Sequence, residues 1–215
     1  MGLRRVILSL NEIETTILKT ARGAGMEWGL AEEAANAARW FAAAGAIPEM
    51  VFLHIFEAAP WRADIVFEAG TFRPGDPRAS LCPIRVGACL SDLADILPLR
   101  VERVLAPLLL LPFAARLGQP VALSWNGLKL GLPDPNLATR LGDSHASFDD
   151  RADLVEVTGS GSVATGSSPT SPRDGGAHVD GTAWQKLQTF AARTYVPASE
   201  RSRLMGAGAG RIDNE

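Results

Sequence analysis

The chain has 215 residues, 47% of them hydrophobic and 21% charged, a balance that sustains a globular core and excludes global disorder. A net charge of −3 gives no electrostatic pull toward nucleic acid or an anionic membrane, so neither is expected as a partner. The 18 arginines against 3 lysines read as a compositional habit before they read as anion binding.

The amino terminus has two arginines but only a short apolar run and no cleavage site, so no signal peptide is expected. Val104–Phe113, the longest apolar run, holds Pro107 and Pro112 and is too short to span a bilayer. A cytoplasmic protein follows as the expectation, with Cys82 and Cys89 as reduced thiols in or near the core.

Ser9-Leu10-Asn11-Glu12 reads as a capping box, and Leu10, Ile13, Ile17 and Ala21 recur at helical spacing, predicting a helix over 10–22. Gly23-Ala24-Gly25 ends it. A second helix is predicted over 29–44, with Glu32 and Glu33 in its first turn and Leu30, Ala34, Ala37, Ala38 and Phe41 as its apolar stripe. Pro48-Glu49 suggests a third helix start, although Val51-Phe52-Leu53 also suits a buried strand.

Ala63–Glu68 alternates as a strand, Phe72–Pro77 reads as a turn-rich loop, Pro83–Val86 as a short strand, and Ser91-Asp92 caps a short helix. The prolines leave Val101–Leu117 ambiguous. Asn126-Gly127 suits a type I′ turn, which pairs Trp125 with Leu128, Leu123 with Leu130 and Val121 with Leu132 on one apolar face. Asp153–Val157 offers a further strand. From 158 to 176 the chain turns to Gly, Ser, Thr and Pro, predicting a flexible loop, and Asp180 then starts a helix carrying Trp184, Leu187 and Phe190. Together these elements predict a single α+β domain over 1–215: an antiparallel sheet with a central Asn-Gly hairpin, covered by N- and C-terminal helices.

Two Arg-flanked glycine segments are the candidate sites. Arg22, Gly23 and Gly25 sit between two helices, where glycine amides and a guanidinium could hold an anion; a glycine-terminated helix explains the same residues. Gly206 and Gly208 with Arg201 repeat the ambiguity at the other end, where a flexible tail competes. Trp28 and Tyr195, aromatic residues at element junctions, are candidate pocket walls or packing residues. Glu12 and Glu32 are candidate general bases, against caps and solvated faces. His54, His145 and His178 lack metal-ligand spacing, so no metal is expected, and no cofactor motif appears.

The blocks Ser9–Glu14, Ala21–Gly25, Trp28–Ala34, Arg193–Glu200 and Gly206–Gly210 resemble an uncharacterised bacterial domain-of-unknown-function family. The resemblance takes in most of the chain, the hairpin included, and implies a cytoplasmic bacterial protein; it carries no activity, cofactor or catalytic residue. Two functions stay open: an enzyme or binding protein for a small anionic metabolite, and a non-catalytic accessory subunit, either a homo-oligomer or one that docks an operon-encoded partner.

Overall fold

A computed structural model describes residues 5–45, 47–134, 150–160 and 176–195. Strand β1 (Arg5–Leu8) leads into α1 (Leu10–Gly23), α2 (Trp28–Ala43) and α3 (Glu49–Ala58). After a 3-10 turn at Pro60–Arg62 come β2 (Ile65–Glu68), β3 (Thr71–Pro74), α4 (Pro83–Leu90) and β4 (Leu99–Leu105). A short α5 (Leu111–Ala114) precedes β5 (Val121–Trp125), β6 (Leu128–Leu132) and β7 (Arg151–Gly159), and β8 (Ala177–Asp180) runs into α6 (Gly181–Ala191). No helix among the described residues is long and apolar enough to cross a membrane.

The architecture is α+β. Six strands form one sheet in the order β2-β3-β4-β7-β5-β6, and β1 and β8 form a separate antiparallel ribbon. The chain reverses at Asn126 and Gly127, both at positive φ, so that Val121 faces Leu132, Leu123 faces Leu130 and Trp125 faces Leu128. Two features depart from the sequence expectation. The hairpin lies at the edge of the sheet rather than its centre, because β7 inserts between β4 and β5. The sheet is also mixed, since β3 runs parallel to β4.

Three local expectations are corrected as well. Phe72–Pro74 is strand, not loop: Phe72 pairs with Phe67 and Val101 and is only 2% exposed, so burial decides against turn composition. Pro83–Val86 opens α4 instead of forming a strand, with proline in the first turn, where its missing N–H costs no helical bond. Thr158 and Gly159 continue β7 by pairing with Ala122 and Val121, so the low-complexity stretch begins later than its composition suggests; 161–175 lie outside the described residues.

The buried side chains form one continuous core. The turn at Pro107–Leu110 packs on β7, and α4 and α5 connect it to α2, which lies against α1. Helix α1 is in turn held by α6, with the buried Thr20 hydroxyl donating to the Thr16 and Leu187 carbonyls at 2.8 and 3.0 Å. Rings in contact run from Trp40 through Phe41, Phe52 and Phe56 to Trp61, tying α2 to α3 and to the 60–62 turn. Arg85 fastens that turn by donating to the carbonyls of Trp61 and Ala63. This anchoring brings Arg62 to the end of α1.

Candidate functional site

Helix α1 ends in a Schellman arrangement. The Met26 N–H donates to the Ala21 carbonyl at 2.9 Å, the Gly25 N–H to Arg22 at 3.0 Å and the Ala24 N–H to Thr20 at 2.9 Å, with Gly25 at φ +91°. The amides of residues 24 to 26 are thus engaged in the helix cap. Gly23 has a packing role: a Cβ there would lie 1.9 Å from the Phe190 carbonyl oxygen of α6.

Side chains, not amides, present the chemistry here. Arg22 donates from Nη1 to the Met26 carbonyl at 2.6 Å, and its guanidinium lies 5.5 Å from the Trp28 ring centroid. Trp28, the first residue of α2, is 59% exposed, and its indole N–H donates to Glu32 at 2.6 Å. One turn back on α1, Lys19 lies 5.3 Å from the ring centroid of Tyr195, which is 62% exposed, and contacts its hydroxyl at 3.4 Å. Arg193 lies 4.4 Å from the Phe190 ring centroid on α6. Arg62 reaches in from the 60–62 turn, with Nη2 3.9 Å from the point a Gly25 Cβ would occupy.

Each aromatic–cation contact is within the ~6 Å range where the ring quadrupole attracts a cation. Four such pairs exist among the described residues, and three of them gather around the C-terminal half of α1; the fourth is Arg116 on Phe113. The structure therefore brings Trp28 into contact with both Arg22 and Glu32 and sets Tyr195 against the same helix. Lys19, Arg62 and Arg193 join them although sequence reasoning passed over all three. Lys19 was detectable as the residue one helical turn before Arg22; Arg62, forty positions away, carried no local signal.

Other candidates fall elsewhere. Glu12 closes the capping box at the far end of α1, roughly 15 Å along the helix axis from Arg22. It accepts from the Ser9 N–H at 2.8 Å and the Ser9 hydroxyl at 2.7 Å, bonds that hold its carboxyl below the usual range. Glu12 thus serves in the cap of α1, at the opposite end of the helix from Arg22. Glu32 keeps a place at the site as the acceptor that fixes the Trp28 indole. Arg201, Gly206, Gly208 and His145 lie outside the described residues.

Burial pushes the Cys82 thiol up to about 11, so it carries no reactive thiolate near neutral pH; Cys89 is exposed, and both are free. Among the described residues no cluster of three or more His, Cys, Asp or Glu is arranged to hold a metal. A separate open depression of about 540 Å³ lies between the start of β4 and the end of β7, lined by Asp95, Leu97, Pro98, Gln119, Thr158 and Gly159. None of the candidate residues borders it.

A family model described as "Protein of unknown function (DUF3726)" matches residues 8–48, the stretch holding α1, α2 and the connection to α3. The resemblance to an uncharacterised domain family thus rests on the helix pair that carries Arg22 and Trp28, while Tyr195, Arg62 and the hairpin lie outside the match. No curated protein and no solved structure matches the chain.

Proposed function

We propose that the chain is a non-catalytic binding module, an accessory or interaction protein. Its working surface is the outward side of α1's C-terminal half together with the α1–α2 turn. One observation carries this reading: three aromatic–cation pairs converge there, and two of their rings stand more than half exposed. Trp, Tyr and Arg are the residue types that dominate binding energy at protein interfaces, and the two aromatics do so because each buries a large, rigid surface at low entropic cost.

Openness favours a protein over a metabolite as occupant. Small-molecule sites enclose most of their ligand in a concavity, whereas Trp28, Arg22 and Glu32 are all exposed. Two free thiols accord with a reducing compartment, so we assign the module to the cytoplasm, acting as one domain over 1–215.

Gly29 gives a clean test, since it is exposed, adjoins Trp28 and has open space where a side chain would go. A photo-cross-linking residue at position 29 should form a discrete adduct in cells, and Arg22→Glu should abolish it. The same probe at Asp153, exposed on the sheet, should give none. An adduct of twice the chain mass would identify a second copy as the partner. Equal adducts from both positions, or none from position 29, would defeat the reading.

A further inference from the structure

We infer that the partner presents an acidic segment, whose carboxylates seat on Arg22 and Arg62 with Lys19 as the flanking cation. This rests on the reading above and names the chemistry of the occupant.

Cations elsewhere on the molecule set the contrast. Arg39, Arg73, Arg100, Arg116 and Arg151 each meet a carboxylate: Glu14, Glu68, Glu156, Glu33 and Asp153 in turn. Among the described residues Arg22, Arg62, Arg193 and Lys19 meet none, and neither do Arg78, Arg85, Arg103, Lys129 and Lys186; what distinguishes the first four is that they gather at one end of α1, three of them against aromatic rings, with Arg22 also bound to a backbone carbonyl. A ring face leaves the charge of the cation in place, whereas a carboxylate cancels it. Four cations therefore gather at this end of α1, against the two carboxylates of Glu27 and Glu32 beside Trp28, on a chain whose net charge is −3. An acidic partner is repelled by the molecule as a whole and drawn to this end of α1, which fixes where and how it docks.

Arg22 is also prepared for such a ligand. The Met26 carbonyl holds one nitrogen and the Trp28 ring covers one face, so the guanidinium is fixed before any partner arrives and its remaining donors stay at the surface. Glu32 extends this restraint by holding the indole. A guanidinium fixed in advance loses less freedom on forming a paired bond to a carboxylate than a loose one does. Lys19, one turn away on the same helix face, is spaced to meet a second carboxylate about 5–6 Å from the first. Trp28 and Tyr195 supply apolar flanks for the atoms between them.

The test titrates the full chain with a fluorescein-labelled Glu-rich peptide and follows anisotropy, alongside a Lys-rich peptide and free citrate as a competitor. The Glu-rich peptide should bind and the Lys-rich one should not. Arg22→Ala and Arg62→Ala should each weaken binding about tenfold or more, as loss of a charge-assisted contact does. Raising ionic strength from about 0.1 M to about 1 M, where the screening length falls from about 10 Å to about 3 Å, should weaken it further. Arg62→Ala serves as the second variant because Arg22 also tethers the helix cap. Failure of the Glu-rich peptide to bind, or binding indifferent to both substitutions, overturns the inference; so does citrate competing at the same concentration as the peptide. If cross-linking from position 29 succeeds while the peptide fails, the acidic class is wrong and the interaction module stands.

Discussion

Gly23 and Phe190 meet backbone to backbone: a methyl group on the glycine would sit 1.9 Å from the phenylalanine carbonyl oxygen and 2.7 Å from its carbonyl carbon. Helices α1 and α6 therefore cross at a point where no side chain fits between them. This contact sets Arg193 and Tyr195, which follow α6, against the C-terminal half of α1 and so assembles the basic–aromatic surface.

Gly23→Ala tests that geometry. In an exposed helix interior alanine gains about 1 kcal/mol over glycine. Here the added methyl strikes backbone, and overpacking of this kind costs about 3 kcal/mol, so the clash wins. A net loss near 2 kcal/mol lowers Tm by roughly 4–8 °C in a chain of this size, read by calorimetry or circular dichroism. A raised or unchanged Tm would mean that α6 does not approach so closely.

The hairpin offers a matched pair of glycines. Gly127 sits at φ +81° with open space around its missing Cβ, so Gly127→Ala meets backbone strain and no clash, and should cost about 1–2 kcal/mol in urea unfolding. Gly131, in β6 of the same hairpin, also has open space but carries no positive φ. Gly131→Ala should be neutral or stabilising by about 0.5 kcal/mol. Equal effects at both positions would argue against a left-handed conformation at Gly127.

The two cysteines should separate by accessibility and by pH. A thiol reagent should label one site, Cys89, in the folded protein and two after denaturation. Burial raises the Cys82 thiol from 9.0 to about 11, so the folded chain keeps a proton that the unfolded chain begins to release near pH 9. Stability should then fall as pH rises from 9 to 11, by about 2–3 kcal/mol from this group. Cys82→Ala should flatten that part of the stability profile. An unchanged slope would show that Cys82 is not the titrating group.

How much of this was readable in one dimension differs from element to element. The capping box of Ser9 and Glu12 and the termination of α1 at Gly23–Gly25 follow from residues at most five apart, because a helix end satisfies its orphaned amides and carbonyls locally. The apolar stripe of α2 and the Asp180 cap of α6 are legible for the same reason. Phe72–Pro74 was not, since its pairing depends on Val101, about thirty residues away, and turn-forming neighbours masked it. Nor does anything near Asn126–Gly127 say that β7 will insert beside β5 and leave the hairpin at an edge.

For the site, the division falls between residue type and surroundings. By itself the sequence determined that Arg22 and Trp28 stand at a helix junction, since glycine termination and helical periodicity act within a turn or two. Only the tertiary structure decided that Gly23 is a packing contact and that Arg62 and Tyr195 arrive from distant segments to join Arg22. Backbone hydrogen bonds saturate between near neighbours, so local order can be read locally. An unneutralised charge depends on every segment that could have answered it, and those segments meet only when the chain is folded.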